Sequence, residues 1–312
     1  MRYNLIVQKK ECDYMLKDEI LKLKKEKNAI ILAHFYQHDE VQDIADFVGD
    51  SLALSRKAAS TDADVIVFCG VYFMAETAKI LSPDKMVLLP KQNALCNMAA
   101  MISYDALKKY KEEHPERKIV TYVNTRAEIK ALSDIIVTSS NAEKIMKNFE
   151  GEKIMYTPDK NLGLYLRDKL GYDIEVWPGH CYIHDRLTIN DVKELRKKYP
   201  NAEVLIHPEA PLEVLKQADY VGSTKGILDY ATNSEAKDFV IGTDKGILHA
   251  LRKQNPEKNF HILSHGLSCF NMKRIKLEDV LDALKYDQHQ IEVDPDIAAR
   301  AKRALDEMLR LS

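Results

Sequence analysis

Three of the five cysteines in this 312-residue chain, Cys96, Cys181 and Cys269, fall at matching places in an internal repeat. One thiolate from each repeat, meeting near a pseudo-three-fold axis, would give a metal three soft ligands and leave a fourth position open. Thiolates favour zinc and iron-sulfur clusters, and an open position is what a catalytic metal needs. A free cysteine is otherwise a small buried hydrophobe, which is the reading given to Cys12 and Cys69. Pro178, Gly179 and Gly266 put the repeat cysteines in loops instead of strand interiors. An odd number of cysteines without close pairs does not resemble a disulfide framework, so a reducing, cytoplasmic setting is expected.

Other side chains near these cysteines could move protons. His184 follows Cys181 by three residues and can serve as ligand or acid/base. His180 and His265 are read as ordinary hydrogen-bonding histidines. Glu209, in LIHPEAPLE, follows an apolar run, and a carboxylate in a closed site is a candidate general base; outside such a site it is a surface glutamate. Tyr36 and Tyr122 are either core aromatics with one wet end or site residues.

These residues must be positioned by the elements that carry them. Val- and Ile-rich runs (AIILA, DVIVF, MVLLP, KIVTYV, DIIVT, EVLIH and FVIGT) alternate with helical stretches, which predicts an α/β fold with parallel sheets and crossover helices. Segments of roughly 30–99, 118–184 and 202–272 share one layout. Aligning IADFVGDS, LSDIIVTSS and KQADYVGST puts Asp46, Asp134 and Asp219 in register at intervals of 88 and 85. The same intervals bring together His34, Tyr122 and His207, then Tyr36, Asn124 and Glu209, then Ser51, Ser139 and Thr224. All are polar and fall at strand-to-helix turns, where α/β sheets present ligand sites and helix N-termini offer free N–H groups to an anion. Ser51, Ser139 and Thr224 are therefore expected to open helices, with capping the common role of such residues. The cysteines follow the aligned aspartates by 50, 47 and 50 residues.

The expected architecture is three pseudo-three-fold related repeats, each a small parallel sheet flanked by helices, with the site at their junction. The expected boundaries are 1–100 for the first repeat with an N-terminal helix, 101–190 for the second, 191–275 for the third and 276–312 for helices packing back on the body. CDYMLKDEILKLKKEKN predicts an amphipathic helix with Leu16, Ile20 and Leu23 on one face, and DPDIAARAKRALDEML a second, with Asp294 as N-cap and Pro295 at the first position. Lys+Arg 46 against Asp+Glu 48 leaves a net charge of -2, so no basic field draws the chain to nucleic acid or an anionic membrane. No run is long enough for a membrane span, and the ligand is expected to be small. A three-thiolate zinc enzyme acting on a phosphorylated metabolite, with His184 as fourth ligand, and an iron-sulfur sensor are the rival readings.

The segments AHFYQHDEVQDIADFVGDSLALSRKA, VFCGVYFMAETAKIL, TYVNTRAEIKALSDIIVTSSNA, WPGHCYIHDR, IHPEAPLEVLKQADYVGSTKGI, IGTDKGILHALRKQNP and HGLSCFNMKRIKLEDVLDAL together resemble quinolinate synthase, from about residue 30 to 285. The resemblance implies an enzyme of NAD biosynthesis that condenses iminoaspartate with dihydroxyacetone phosphate to give quinolinate, phosphate and water. It implies a 4Fe-4S cluster on Cys96, Cys181 and Cys269 with one open iron. It implies Glu209 as base, with Tyr36, His207 and His184 as neighbouring donors, and Tyr122 and Asn124 reaching the substrate. His34, Ser51, Ser139, Ser223 and Thr224, with Tyr122, Asn124, His207 and Glu209, would hold the substrate and its anionic groups. It also implies functional coupling to the enzyme that supplies iminoaspartate. Cys269 stands in SCFNMK without the adjacent cysteine that some members carry, so no regulatory disulfide is expected there. Arg126 is an unexpected neighbour of such a site, pointing outward or altering anion binding.

Overall fold

The computed structural model describes residues 15–312, so Cys12 and the start of the first expected helix lie outside the described residues. Residues 15–26 are helical (α1), with Ile20 wholly buried and Leu16 and Leu23 packed against the core. That is the face the spacing predicts.

Three four-stranded sheets follow. The first holds β1 (Ala29–His34), β2 (Phe47–Gly49), β3 (Val65–Cys69) and β4 (Met86–Leu88), connected through α2 (Asp39–Ile44), α3 (Ser51–Ser60) and α4 (Tyr72–Leu81). After α5 (Tyr104–Glu113), the second holds β5 (Arg117–Tyr122), β6 (Ile135–Val137), β7 (Lys153–Thr157) and β8 (Ile174–Val176), with α6 (Ala127–Lys130), α7 (Ala142–Met146) and α8 (Lys160–Leu170) between them. After α9 (Ile189–Lys198), the third holds β9 (Glu203–Ile206), β10 (Tyr220–Val221), β11 (Asp238–Gly242) and β12 (Asn259–Ile262), with α10 (Leu212–Leu215), α11 (Thr224–Asn233) and α12 (Ile247–Gln254). All pairings are parallel, and every sheet has the order second, first, third, fourth strand. Helices cover the sheets, so the central strands are apolar almost throughout instead of alternating.

The aligned aspartates explain why the repeat is so regular. Asp46, Asp134 and Asp219 each accept a hydrogen bond from a backbone N–H of the neighbouring central strand: Ile31 at 2.8 Å, Ile119 at 2.7 Å and Val204 at 2.7 Å. Each also meets a cation from the helix before that strand, Lys24 at 2.6 Å, Lys111 at 3.3 Å and Arg196 at 3.0 Å. One carboxylate thus ties helix, first strand and second strand together in all three units.

The final helices close the body. α13 (Leu277–Tyr286) packs on β3, and α14 (Pro295–Leu311) lies across α4, α6 and β6, joining the first and second units. Asp294 caps α14 by accepting from the N–H groups of Asp296 and Ile297, with Pro295 at the first position as the sequence predicts. No helix among the described residues is long and apolar enough to cross a membrane.

One expectation fails. Ser51 and Thr224 open α3 and α11, whose caps are the preceding residues Asp50 and Ser223. Ser139 opens no helix: α7 begins only at Ala142. The Asn141 carboxamide accepts from the Thr138 N–H at 2.6 Å and from its hydroxyl at 3.1 Å, holding Thr138–Ser140 as a turn. The Thr138 carbonyl accepts from the Asn141 N–H at 3.2 Å and the Ala142 N–H at 2.9 Å, so this turn leads into α7 without being part of it.

Candidate active site

The C-terminal ends of the central strands point at one cavity where the three units meet. Cys96, Cys181 and Cys269 line it together with His34, Tyr36, Ser51, Tyr122, Asn124, Ser139, His207, Glu209 and Thr224. His184 and Ser223 stand behind that surface. His184 is wholly buried, and the Ser223 hydroxyl donates to Ser140 Oγ at 2.7 Å while the Ser140 hydroxyl donates to Asp50, which joins the three site turns. Every site residue expected from sequence is thus in or against one cavity.

The histidines are set by local geometry. The Tyr36 N–H donates to His34 Nδ1 at 3.1 Å, and at the equivalent place the Glu209 N–H donates to His207 Nδ1 at 3.4 Å. Both rings therefore carry their proton on Nε2, a tautomer assigned from these bonds. His207 Nε2–H donates to Ser139 Oγ at 3.2 Å, while His34 is left with a donor for a ligand oxygen. Burial, with Lys273 and His207 nearby, lowers the His34 pKa to about 3; burial lowers His207 to about 4. Both are neutral donors at physiological pH.

Glu209 is the anionic centre. Burial works to raise its carboxyl, but His207, His184 and the Tyr122 hydroxyl outweigh it and hold the pKa at about 2. His184 Nδ1 lies 2.7 Å from Glu209 Oε2, and Asn124 Nδ2 donates to Oε1 at 3.5 Å. With Nδ1–H given to the carboxylate, His184 Nε2 accepts from Thr243 Oγ1 at 3.0 Å. Thr243 in turn accepts from the Tyr36 hydroxyl at 2.6 Å, and that hydroxyl accepts from Thr224 at 2.9 Å. Burial, then Glu209, pushes the Tyr36 and Tyr122 hydroxyls well above their ordinary range, so both keep their protons. A buried carboxylate is thereby joined to two phenols and two imidazoles, a set able to take a proton in one place and return it in another.

The cysteines come from three loops. The Cys181 loop is held against the second sheet through Gly179, where an added Cβ would lie 2.5 Å from the Pro158 carbonyl oxygen. The Cys269 N–H donates to the wholly buried Asp244, whose carboxylate also pairs with Lys273 at 2.9 Å. Burial pushes the Cys96 thiol up to about 12 and raises the other two, with Cys269 adding to the rise at Cys96 and both Cys269 and Cys96 adding to it at Cys181. Three buried thiols with raised pKa values need a positive centre to become thiolates, so the donor set fits a soft metal group. Two sets could hold one: the three sulfurs, or Cys181, His184 and Glu209, whose donor atoms lie within 4.8 Å of one another.

Sequence reasoning missed Thr243 and Asp244. A usable signal existed, because the interval of 85 that aligns Asp134 with Asp219 also aligns Asp159 with Asp244, and both are wholly buried at strand ends. Arg126 turns away from the cavity and pairs with Glu76 at 3.0 Å, its guanidinium 4.5 Å over the Tyr72 ring. His265 is exposed and Cys69 wholly buried in β3.

A family model described as quinolinate synthetase A protein matches residues 18–310. The chain is 51% identical over 298 residues to a protein named quinolinate synthase from Caldicellulosiruptor bescii, covering 95% of this chain and 98% of that one. It is 50% identical over 295 residues to a quinolinate synthase from Alkaliphilus metalliredigens, covering 94% and 97%. With quinolinate synthase 2 of Methanosarcina acetivorans the identity is 46% over 300 residues, covering 96% and 97%. Three matched units, a shared cavity and this near-complete correspondence place the chain in the quinolinate synthetase A protein family.

Proposed function

We propose that this enzyme condenses iminoaspartate with dihydroxyacetone phosphate to give quinolinate, phosphate and water, with Cys96, Cys181 and Cys269 holding a 4Fe-4S cluster that keeps one iron open. The observation that carries the reading is the Glu209–His184 pair lying against Cys181 in one cavity with the other two cysteines. When bound, the cluster would supply a Lewis-acid iron that withdraws charge from a substrate oxygen or nitrogen. Three cysteines, one from each unit, line one cavity and suit a cluster with three thiolate ligands and one open iron.

The protein side chains divide the remaining work. Glu209 takes the proton that moves during the ketose-to-aldose shift, with His184, His207, Tyr36 and Tyr122 as donors around it. His34 Nε2–H and Asn124 bind substrate oxygens from opposite units. Ser51, Ser139, Ser223 and Thr224, at the turns joined by Ser140, receive the carboxylates and phosphate; the N-termini of α3 and α11 add their N–H groups there. The chain acts in the cytoplasm on small molecules, functionally coupled to the enzyme that supplies iminoaspartate.

Anaerobic purification and assay test this. Brown protein with four irons per chain that forms quinolinate from the two substrates is expected, and Cys→Ala at any of the three positions removes both colour and product. Colourless protein carrying one zinc, or a cluster-loaded chain that makes no quinolinate, would sink the proposal.

A further inference from the structure

Cys181 belongs to two donor sets at once. Besides facing Cys96 and Cys269, its Sγ lies 3.2 Å from His184 Nδ1, which is 2.7 Å from Glu209 Oε2. All three residues are buried or nearly so, and their donor atoms lie within 4.8 Å of one another. The surroundings are those of a ligand set. Thr243 bonds the far nitrogen of His184 at 3.0 Å and so aims Nδ1 at the other two donors. Asn124 Nδ2 takes Glu209 Oε1 and leaves Oε2 for a ligand. Metal-binding imidazoles and carboxylates are oriented by such partners. Asn124 Oδ1 is buried without a partner, which suits an acceptor for a metal-bound water.

We propose that Cys181, His184 and Glu209, in the chain without its cluster, bind one divalent ion of the zinc class, with water as the fourth ligand. A tetrahedral ion at about 2.0–2.3 Å from each donor sets the donors about 3.3–3.6 Å apart, so the nitrogen–oxygen contact opens by about 0.6 Å and the nitrogen–sulfur contact by about 0.3 Å. The Cys181 proton leaves to solvent. His184 changes to its Nε2–H tautomer and donates to Thr243, freeing the Nδ1 lone pair for the ion. Because one sulfur serves both sets, the ion and the cluster exclude each other, and zinc blocks cluster assembly. That second step rests on the reading of Cys181 as a cluster ligand.

Cobalt(II) titrated anaerobically into the full chain, stripped of metal by chelation, tests the site without any assay of activity. One cobalt per chain is expected, with sulfur-to-cobalt charge transfer and tetrahedral d–d bands. The spectrum persists in the Cys96→Ser/Cys269→Ser double variant and weakens about 100-fold or more in affinity in His184→Ala or Glu209→Gln. Bands that vanish in the double variant but survive Glu209→Gln would overturn the assignment in favour of the three sulfurs, and so would the absence of stoichiometric binding. If circular dichroism shows the double variant unfolded, Cys269→Ser alone makes the same distinction. Chain preloaded with one equivalent of zinc is then expected to lose most of the cluster absorbance on reconstitution with iron and sulfide, and to regain it after chelation. Undiminished reconstitution overturns the exclusion while the cobalt result stands by itself.

Discussion

Glu209 is where charge and hydrogen bonding meet, since its carboxylate fixes the His184 tautomer and through Thr243 the direction of the Tyr36 hydroxyl. Glu209→Gln keeps the shape and removes the base, so kcat should fall on the order of 100- to 10,000-fold with four irons still bound. Intact turnover in that variant would remove Glu209 from the chemistry. Arg126 makes the opposite case. Its Nε lies 3.0 Å from both oxygens of Glu76, a carboxylate buried in the first unit. Arg126→Ala strands that buried charge and should cost about 2 kcal/mol in a denaturant melt, less than a fully buried pair because the arginine is half exposed. Adding Glu76→Gln should restore most of the loss, and KM for either substrate should not move; a raised KM would put Arg126 in the anion site after all. The sequence placed Arg126 beside the site but could not show Glu76 as its partner, because 50 residues separate them and no local pattern links the two.

At the scale of elements, the hydrophobic runs and the polar residue closing each central strand were enough to read the sheets and their helices. The helix expected at Ser139 starts only at Ala142, and Asn141, bonded back to Thr138, stands where the other units have Ala53 and Gly226. Spacing carries the repeat, whereas capping depends on the single residue at each place. The aspartate clamp is common to all three units, and its cost should be common too. Asp46→Ala, Asp134→Ala and Asp219→Ala each free a strand N–H and a cation, so each should lower unfolding free energy by about 1–3 kcal/mol. Equilibrium melts of the three variants measure this. If one aspartate proves silent while its counterparts do not, the clamp is not what keeps the units alike.

For the whole molecule, the three-unit design gathers polar groups at a junction far from solvent, and its consequence is acid sensitivity. Sequence could show that His34 and His207 were equivalent, but their depressed pKa values arise from burial that only assembly of all three units creates. In the unfolded chain each imidazole binds a proton near pH 6.5, while in the folded chain His207 does so only near 4 and His34 near 3. The folded state therefore holds fewer protons over that range, and its stability falls as pH drops below 6.5. Glu209, held at about 2, acts in the same direction below 4.5, where its unfolded form would take up a proton. At pH 5 each histidine should have cost about 2 kcal/mol relative to pH 7, at about 1.4 kcal/mol per pKa unit. Urea midpoints of the metal-free full chain at pH 7 and pH 5 measure the loss without interference from an acid-labile cluster. His207→Asn should lose less between the two pH values than the unsubstituted chain, because its side chain has no proton to gain. An equal loss in both would mean that the junction admits water enough to charge the ring, and that the closed cavity on which the acid/base reading depends is open.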